Sequence, residues 1–257
     1  MRAIFSKCCS IILLSLVLFS CKKETETIDG QDYQTERLTE MLPLQVGKYI
    51  TYRLDSTVFT QHNSVTEIHS YQEKDIVDAQ ITDNLGRPSY RVFRFIRDIA
   101  GLESWVTAGT YFITPTSSTV EITEDNLRVV SLTTPVRQDI TWKGNLYLPM
   151  EPYKSLYSFS ENNFNNWDFK YNTLNDNIEL NGNTISDVAI VTRVDESVNV
   201  PITAATPYAS VTYAVDKYAK GIGLVYQELT IWEYQQNLGG SPYTTGFGVK
   251  RSMTDHN

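Results

Sequence analysis

The chain has 257 residues, with 22 Lys and Arg against 30 Asp and Glu, for a formal charge of −8. An acidic surface repels phosphate backbones and anionic headgroups, which excludes nucleic acid as a partner and polybasic docking to charged lipid. With three Cys and sixteen Tyr, the expected body is a strand-built core with many aromatics and no disulfide framework.

The first stretch that organises the chain is residues 1–21. Arg2 and Lys7 give a positive front, and an apolar run from 11 to 19 follows. That run is shorter than the roughly 20 residues a helix needs to cross a bilayer core, and it has the layout of a secretory signal. It ends Leu18-Phe19-Ser20-Cys21. A small residue directly before Cys at this place resembles the lipobox of bacterial lipoproteins. The resemblance implies cleavage before Cys21, a diacylglyceryl group on its thiol and acylation of the new amine. One acyl chain holds a protein only marginally, at about 0.8 kcal/mol per buried CH2, whereas two or three hold it durably. Cys8 and Cys9 lie inside the removed peptide, so the mature chain keeps no free thiol and its stability rests on packing. Loss of residues 1–20 leaves 237 residues with a charge of −10.

Residues 21–40 continue as KKETETIDGQDYQTERLTE after the Cys. So polar a stretch cannot bury enough surface to offset its ordering entropy, and it reads as a flexible tether with a helical turn near 35–41. Glu24 and Glu26 resemble the acidic surface-export signal of some Bacteroidota-type lipoproteins, and Lys22 and Lys23 depart from it.

The folded region is expected over residues 41–254. From 48 to 59 the sequence alternates, with Ile50, Tyr52, Leu54 and Val58 on one face and Thr51, Arg53, Asp55 and Thr57 on the other. That period is a half-buried strand. A second strand over 66–83 is far longer than the usual ~5–6 residues. Its apolar phase slips between Ile68/Ile76 and Tyr71/Val77/Ala79/Ile81, which predicts a bulge or bend near 73–75. Residues 84–87 form a turn, and strands are expected at 89–96, 105–114, 119–123, 127–132, 138–148, 167–180, 183–195, 209–218, 224–234 and 243–253. Asn181-Gly182 is a type I′ hairpin signal, and residues 220–223 are the next clearest turn. Residues 149–166 are rich in Asn and Ser and read as a long loop with one helical turn. Ten to twelve strands in sequential order, several of them long, predict one all-β domain. The expected form is an antiparallel meander as a curved sheet, half-barrel or barrel.

No constellation for catalysis stands out. His62, His69 and His256 have no Cys or carboxylate at ligand spacing. There is no nucleophile elbow, and Gly221-Ile222-Gly223 joins two strands, so it reads as a hairpin and not a phosphate loop. Glu73 and Asp75 share a strand face and could do acid–base work, but a polar outer face predicts the same spacing. Arg91, Arg94 and Arg97 alternate with Phe93 and Phe95; they could stack on a ligand, and read more simply as solvated charges over a packed face. Asn162, Asn163, Asn165, Asn166, Asp168, Asn172, Asn175, Asp176 and Asn177 offer oxygen ligands but lack the EF-hand order, so they read as turn residues. No metal and no cofactor is expected.

The segments PLQVGKY at 43–49, SYQ at 70–72, GRPSYR at 86–91, TWKGN at 141–145 and YAKGIGLV at 218–225 resemble a group of Bacteroidota-type envelope lipoproteins. The resemblance covers most of the mature chain and implies a compartment and an anchor, but no activity or site. The expected function is therefore that of a non-enzymatic lipoprotein held to the outer membrane through Cys21, its curved sheet binding a lipid or other hydrophobic molecule. An accessory lipoprotein that contacts an envelope protein is the alternative, and an enzyme acting on glycans or peptides is a third. Which face of the membrane it occupies stays open.

Overall fold

A computed structural model describes residues 37–60, 65–157, 163–237 and 239–257. Cys21, the signal segment, the tether up to residue 36 and His62 lie outside the described residues. The body belongs to a compact unit spanning Thr35–Asn257. Its elements are α1 (Leu38–Met41), β1 (Tyr49–Thr60), β2 (Val65–Thr82), β3 (Pro88–Asp98), β4 (Val106–Pro115), β5 (Thr119–Glu124), β6 (Leu127–Thr133), β7 (Thr141–Lys143), β8 (Asp168–Leu180), β9 (Asn183–Val198), β10 (Tyr208–Ala219), β11 (Gly223–Gln235) and β12 (Tyr243–His256).

All twelve strands join one antiparallel sheet in the order β6-β5-β4-β3-β2-β1-β12-β11-β10-β9-β8-β7. It is a meander that curls until its first and last strands meet, because β1 pairs with both β2 and β12. The two outer strands, β6 and β7, face each other across a seam. There the Val130 N–H donates to the Gly144 carbonyl (2.8 Å) and Trp142 Nε1 to the Val130 carbonyl (2.7 Å). The Tyr171 hydroxyl donates to Thr133 O (2.7 Å) and accepts from Thr133 N (3.0 Å). Side chains thus cover edges that would otherwise offer unpaired backbone groups, and the sheet is a nearly closed barrel.

The alternation read in β1 is the inside–outside alternation of this barrel. Asn181 and Gly182 have φ of 51° and 81°, as the hairpin signal requires, and Asp125 and Asn126 (50° and 62°) repeat the device. Two sequence expectations need correction. No bend occurs at 73–75: β2 runs unbroken against β1 from Tyr49↔Ile76 to Thr60↔Val65. The irregularity sits at Asp78, which the pairing with β3 skips (Val77↔Val92, Ala79↔Arg91). The phase slip arises because Ile68 is an outward apolar residue, 65% exposed. The expected strand over 138–148 shrinks to β7. A Cβ at Gly144 would lie 2.4 Å from the Phe169 ring, so the chain passes flat against that ring. It then curls away in turns, with Leu148 N–H donating to Asn145 O (2.8 Å).

In an antiparallel meander, successive connections alternate between the two ends. At one end α1 acts as a plug. Leu38 and Met41 are buried in the main core, with Leu42 and Leu44 packed on it, so packing begins inside the stretch read as tether. The Gly221 N–H donates to Glu40 O (2.8 Å) and Lys220 Nζ pairs with Glu40 Oε2 (3.2 Å). The tip of β8–β9, curved by three register shifts in β8, reaches β12, where Asn181 Nδ2 donates to Met253 O (2.7 Å). The opposite end carries the long connections after β3, β7, β9 and β11.

Candidate functional site in the barrel interior

Strand parity decides which charges enter the barrel. On β2, Glu73 and Asp75 share the face of Tyr71 and Val77 and are 2% and 9% exposed. On β3, Arg94 shares the face of Tyr90, Val92 and Ile96. The expectation that Glu73 and Asp75 belong to a polar outer face, and Arg94 to a solvated one, is overturned: the barrel closes over them. Arg94 Nε lies 3.0 Å from Asp75 Oδ1 and 3.5 Å from Glu73 Oε1, and its Nη1 contacts Glu124. From β12, Arg251 Nε donates to Glu73 Oε1 (2.6 Å) and its Nη1 contacts Gln227 Oε1. Gln227 Nε2 donates to Asp216 Oδ1 (2.9 Å), and the Tyr111 hydroxyl donates to Asp75 Oδ2 (2.9 Å). Arg91 and Arg97 do point outward, to Asp78 and Gln72 respectively, with Arg97 over the Trp105 ring at 4.3 Å.

Burial sets the electrostatics. Desolvation works against the Arg94 and Arg251 charges, yet Asp75 and Glu73 outweigh it and hold both guanidinium groups above their ordinary range. Desolvation, reinforced by Asp75, pushes the Tyr52 and Tyr111 phenols well up. Desolvation with Asp216 does the same to Tyr218. The centre is therefore a band of committed ion pairs.

That band divides the interior. Toward α1 is an apolar cavity of about 60 Å³, walled by Leu42, Leu44, Ile50, Ile113, Ile222 and Leu224. A volume of this size takes a few waters and not a hydrocarbon chain. On the other side is a chamber of about 390 Å³, inside the roughly 300–1,000 Å³ span of small-molecule sites. Its walls are Ile122, Leu127, Val129, Leu229, Phe247 and Val249, and its polar groups include Glu124, Arg193, Asp216, Gln227 and Arg251. Tyr153, from the connection after β7, packs edge-on against Phe247 (5.2 Å), and Tyr157 stacks on the same ring (5.0 Å).

Arg193 stands apart from the other guanidinium groups. The β9–β10 register skips it, with Ala214↔Val194 and Val215↔Thr192, so it is the extra residue of a bulge, a device that re-aims a side chain. It lies 4.9 Å over the Phe169 ring and only 3.7 Å from Asp216 Oδ1. Its buried Nε has no hydrogen-bond partner among the described residues. Both amide atoms of Asn145 share that condition. No sequence signal marked Arg193, since a bulge leaves no local signature.

Of the Asn and Asp candidates, Asn162 lies outside the described residues, while Asn163, Asn166, Asp168 and Asn172 line one open polar cleft of about 610 Å³ together with Arg193, Asp195 and Glu196. The histidines stay apart. His69 meets Glu67 (3.1 Å) at the surface, and His256 is exposed at the end of β12. Among the described residues no group of three or more His, Cys, Asp or Glu could hold a metal ion. Gly221 and Gly223, with φ of 79° and 118°, form the β10–β11 turn.

No family model matches the chain, and no curated protein matches it. Among solved structures, a protein described as exported, with a YmcC-like fold, from Bacteroides fragilis is 13% identical. The alignment covers 83% of this chain and 98% of that one at a TM-score of 0.31, a likeness too low to carry an argument.

Proposed function

We propose that the chain is a non-enzymatic lipoprotein of the bacterial envelope, anchored to the outer membrane through acylated Cys21, that binds a hydrophobic ligand in the chamber beside Phe247. The observation that carries this reading is the set of apolar walls beside Arg193, which lines both this chamber and the polar cleft and whose buried Nε has no acceptor among the described residues. Leaving such a group unsatisfied costs about 1–3 kcal/mol. A ligand with a carboxylate, phosphate or carbonyl head on an apolar tail supplies the missing acceptor and fills the walls. Glycan hydrolysis would need two carboxyls flanking a bond. Glu73 and Asp75 are instead committed to guanidinium groups, which weighs against it.

The test uses residues 22–257 in vesicle-free solution with lauric acid as the probe, read by native mass spectrometry. One bound equivalent is expected, with roughly tenfold weaker binding in Arg193→Gln and none in Val129→Trp. Equal binding by all three proteins, or none by the unaltered chain, overturns the reading. The anchor has its own test: Cys21→Ser should abolish palmitate labelling of the full chain and release it from the membrane fraction.

A further inference from the structure

The six connections that follow the odd-numbered strands lie at one end of the barrel. Among the described residues, ten of the fourteen large apolar side chains that are exposed fall in or beside three of them. They cluster at 99–106, 146–156 and 198–202, and include Leu102 (88% exposed), Leu156 (72%), Val106 (59%) and Met150 (52%). The stretches 99–105, 144–157 and 199–207 hold three charged residues in thirty, against 20% for the chain. Two of these, Glu151 and Lys154, pair with each other at 3.0 Å. The plugged end differs: its turns and cap present Glu40, Lys48, Asp83, Arg87, Arg137, Asp139 and Lys220.

We infer that the loop end is a docking surface for an uncharged lipid interface, with these side chains entering the headgroup region while the acidic barrel wall stays in water. Monomers rarely leave large apolar areas facing solvent without an interaction to cover them. The ring of Tyr147, 45% exposed with Arg128 over one side at 3.5 Å, is amphipathic as the boundary between headgroup and acyl chain requires. The absence of Lys or Arg excess in the three stretches selects zwitterionic over anionic lipid. Reach permits the contact. The described chain starts at the plugged end, and the seventeen residues from Cys21 to Arg37 span at most about 55 Å. A thirteen-residue strand such as β11 is about 43 Å long before tilt, so an anchored barrel can still bring its loops to the same membrane. The docking does not depend on what fills the chamber, although it would place a lipid beside Tyr153 and the chamber below it.

The experiment is flotation of residues 22–257 with phosphatidylcholine vesicles, without added ligand. The protein should float, and 1 M NaCl should not release it. A Leu102→Glu/Leu156→Glu/Val200→Glu variant should partition at least tenfold less. A Val46→Glu/Leu85→Glu variant, altered at the plugged end, should match the unaltered protein within twofold. Circular dichroism and melting temperature establish that both variants are folded. Three outcomes overturn the inference. They are an unaltered chain that stays unbound, two variants that float alike, or binding that requires phosphatidylglycerol and is lost in salt.

Discussion

The two ends of this barrel are built from the same antiparallel strands and differ in what happens where the strands stop. At the plugged end the connections are short, charged and tied down. Met41 is fully buried, Glu40 holds Gly221 and Lys220, and Asn181 holds Met253. At the loop end three of the connections, after β3, β7 and β9, are long and poorly charged and leave apolar side chains in solvent, and a chamber lies beneath this end. Between the two lies the ion-pair band of Glu73, Asp75, Arg94 and Arg251. The contrast teaches that stability and recognition are assigned to different places. Apolar side chains are mostly covered at one end, where Val46 and Leu85 are the exposed exceptions, and displayed at the other, while the middle is fixed by ion pairs that are largely buried.

Substitutions can break or sharpen that contrast. The largest effect is expected in the band. Glu73→Gln leaves Arg251 and Arg94 buried with weakened partners, and denaturant unfolding should show a loss of about 3–5 kcal/mol. A Glu73→Leu/Arg251→Leu pair should recover much of that loss, because a well-packed apolar pair avoids the desolvation cost of both ions. Next comes the plug: Met41→Ala should cost roughly 2–5 kcal/mol by opening a cavity against α1. At the seam, Gly144→Ala forces a methyl into the Phe169 ring and should cost about 1–3 kcal/mol.

Alkali gives a smaller, graded effect. Tyr52, Tyr111 and Tyr218 have phenol pKa values raised above the ordinary value near 10 by burial and nearby carboxylates. The folded state therefore keeps protons that the unfolded chain releases above pH 10. Their contribution is intact below that pH and is lost as pH rises toward the folded values. The melting temperature should fall above pH 10, and less steeply in Tyr111→Phe. The smallest effect is expected at the loop end, where Leu102→Ala should change stability by no more than about 0.5 kcal/mol. A large loss there would show that the displayed apolar surface is structural after all.

Much of the strand layout was legible because hairpins are local. Alternation in β1, Asn181-Gly182 and the turn at 125–126 each act within a few residues, so they can be read in sequence. The polar interior was partly legible and was misassigned. Glu73 and Asp75 sit in phase with Tyr71 and Val77, and Arg94 in phase with Val92 and Ile96, so parity alone pointed them inward. The competing rule, that charged residues face water, fails here because three strands bring opposite charges to one spot. The pairings that permit this are separated by as many as 178 residues. Arg193 was not legible at all, since the register skip that aims it depends on β10. The short β7 was missed because the constraint on Gly144 comes from a ring on β8.

By itself the sequence determined the strand succession, the hairpin turns, the acidic balance and the all-β class, each of which follows from side-chain period, local backbone preference or composition. Closure was decided only by the tertiary structure. Closing turned one face of each strand into an interior and so converted ordinary alternating charges into buried pairs. It also set α1 as a plug on one side and left the loops with their apolar side chains on the other. The physical reason is that burial belongs to the assembled surface: no residue carries it until the twelfth strand meets the first.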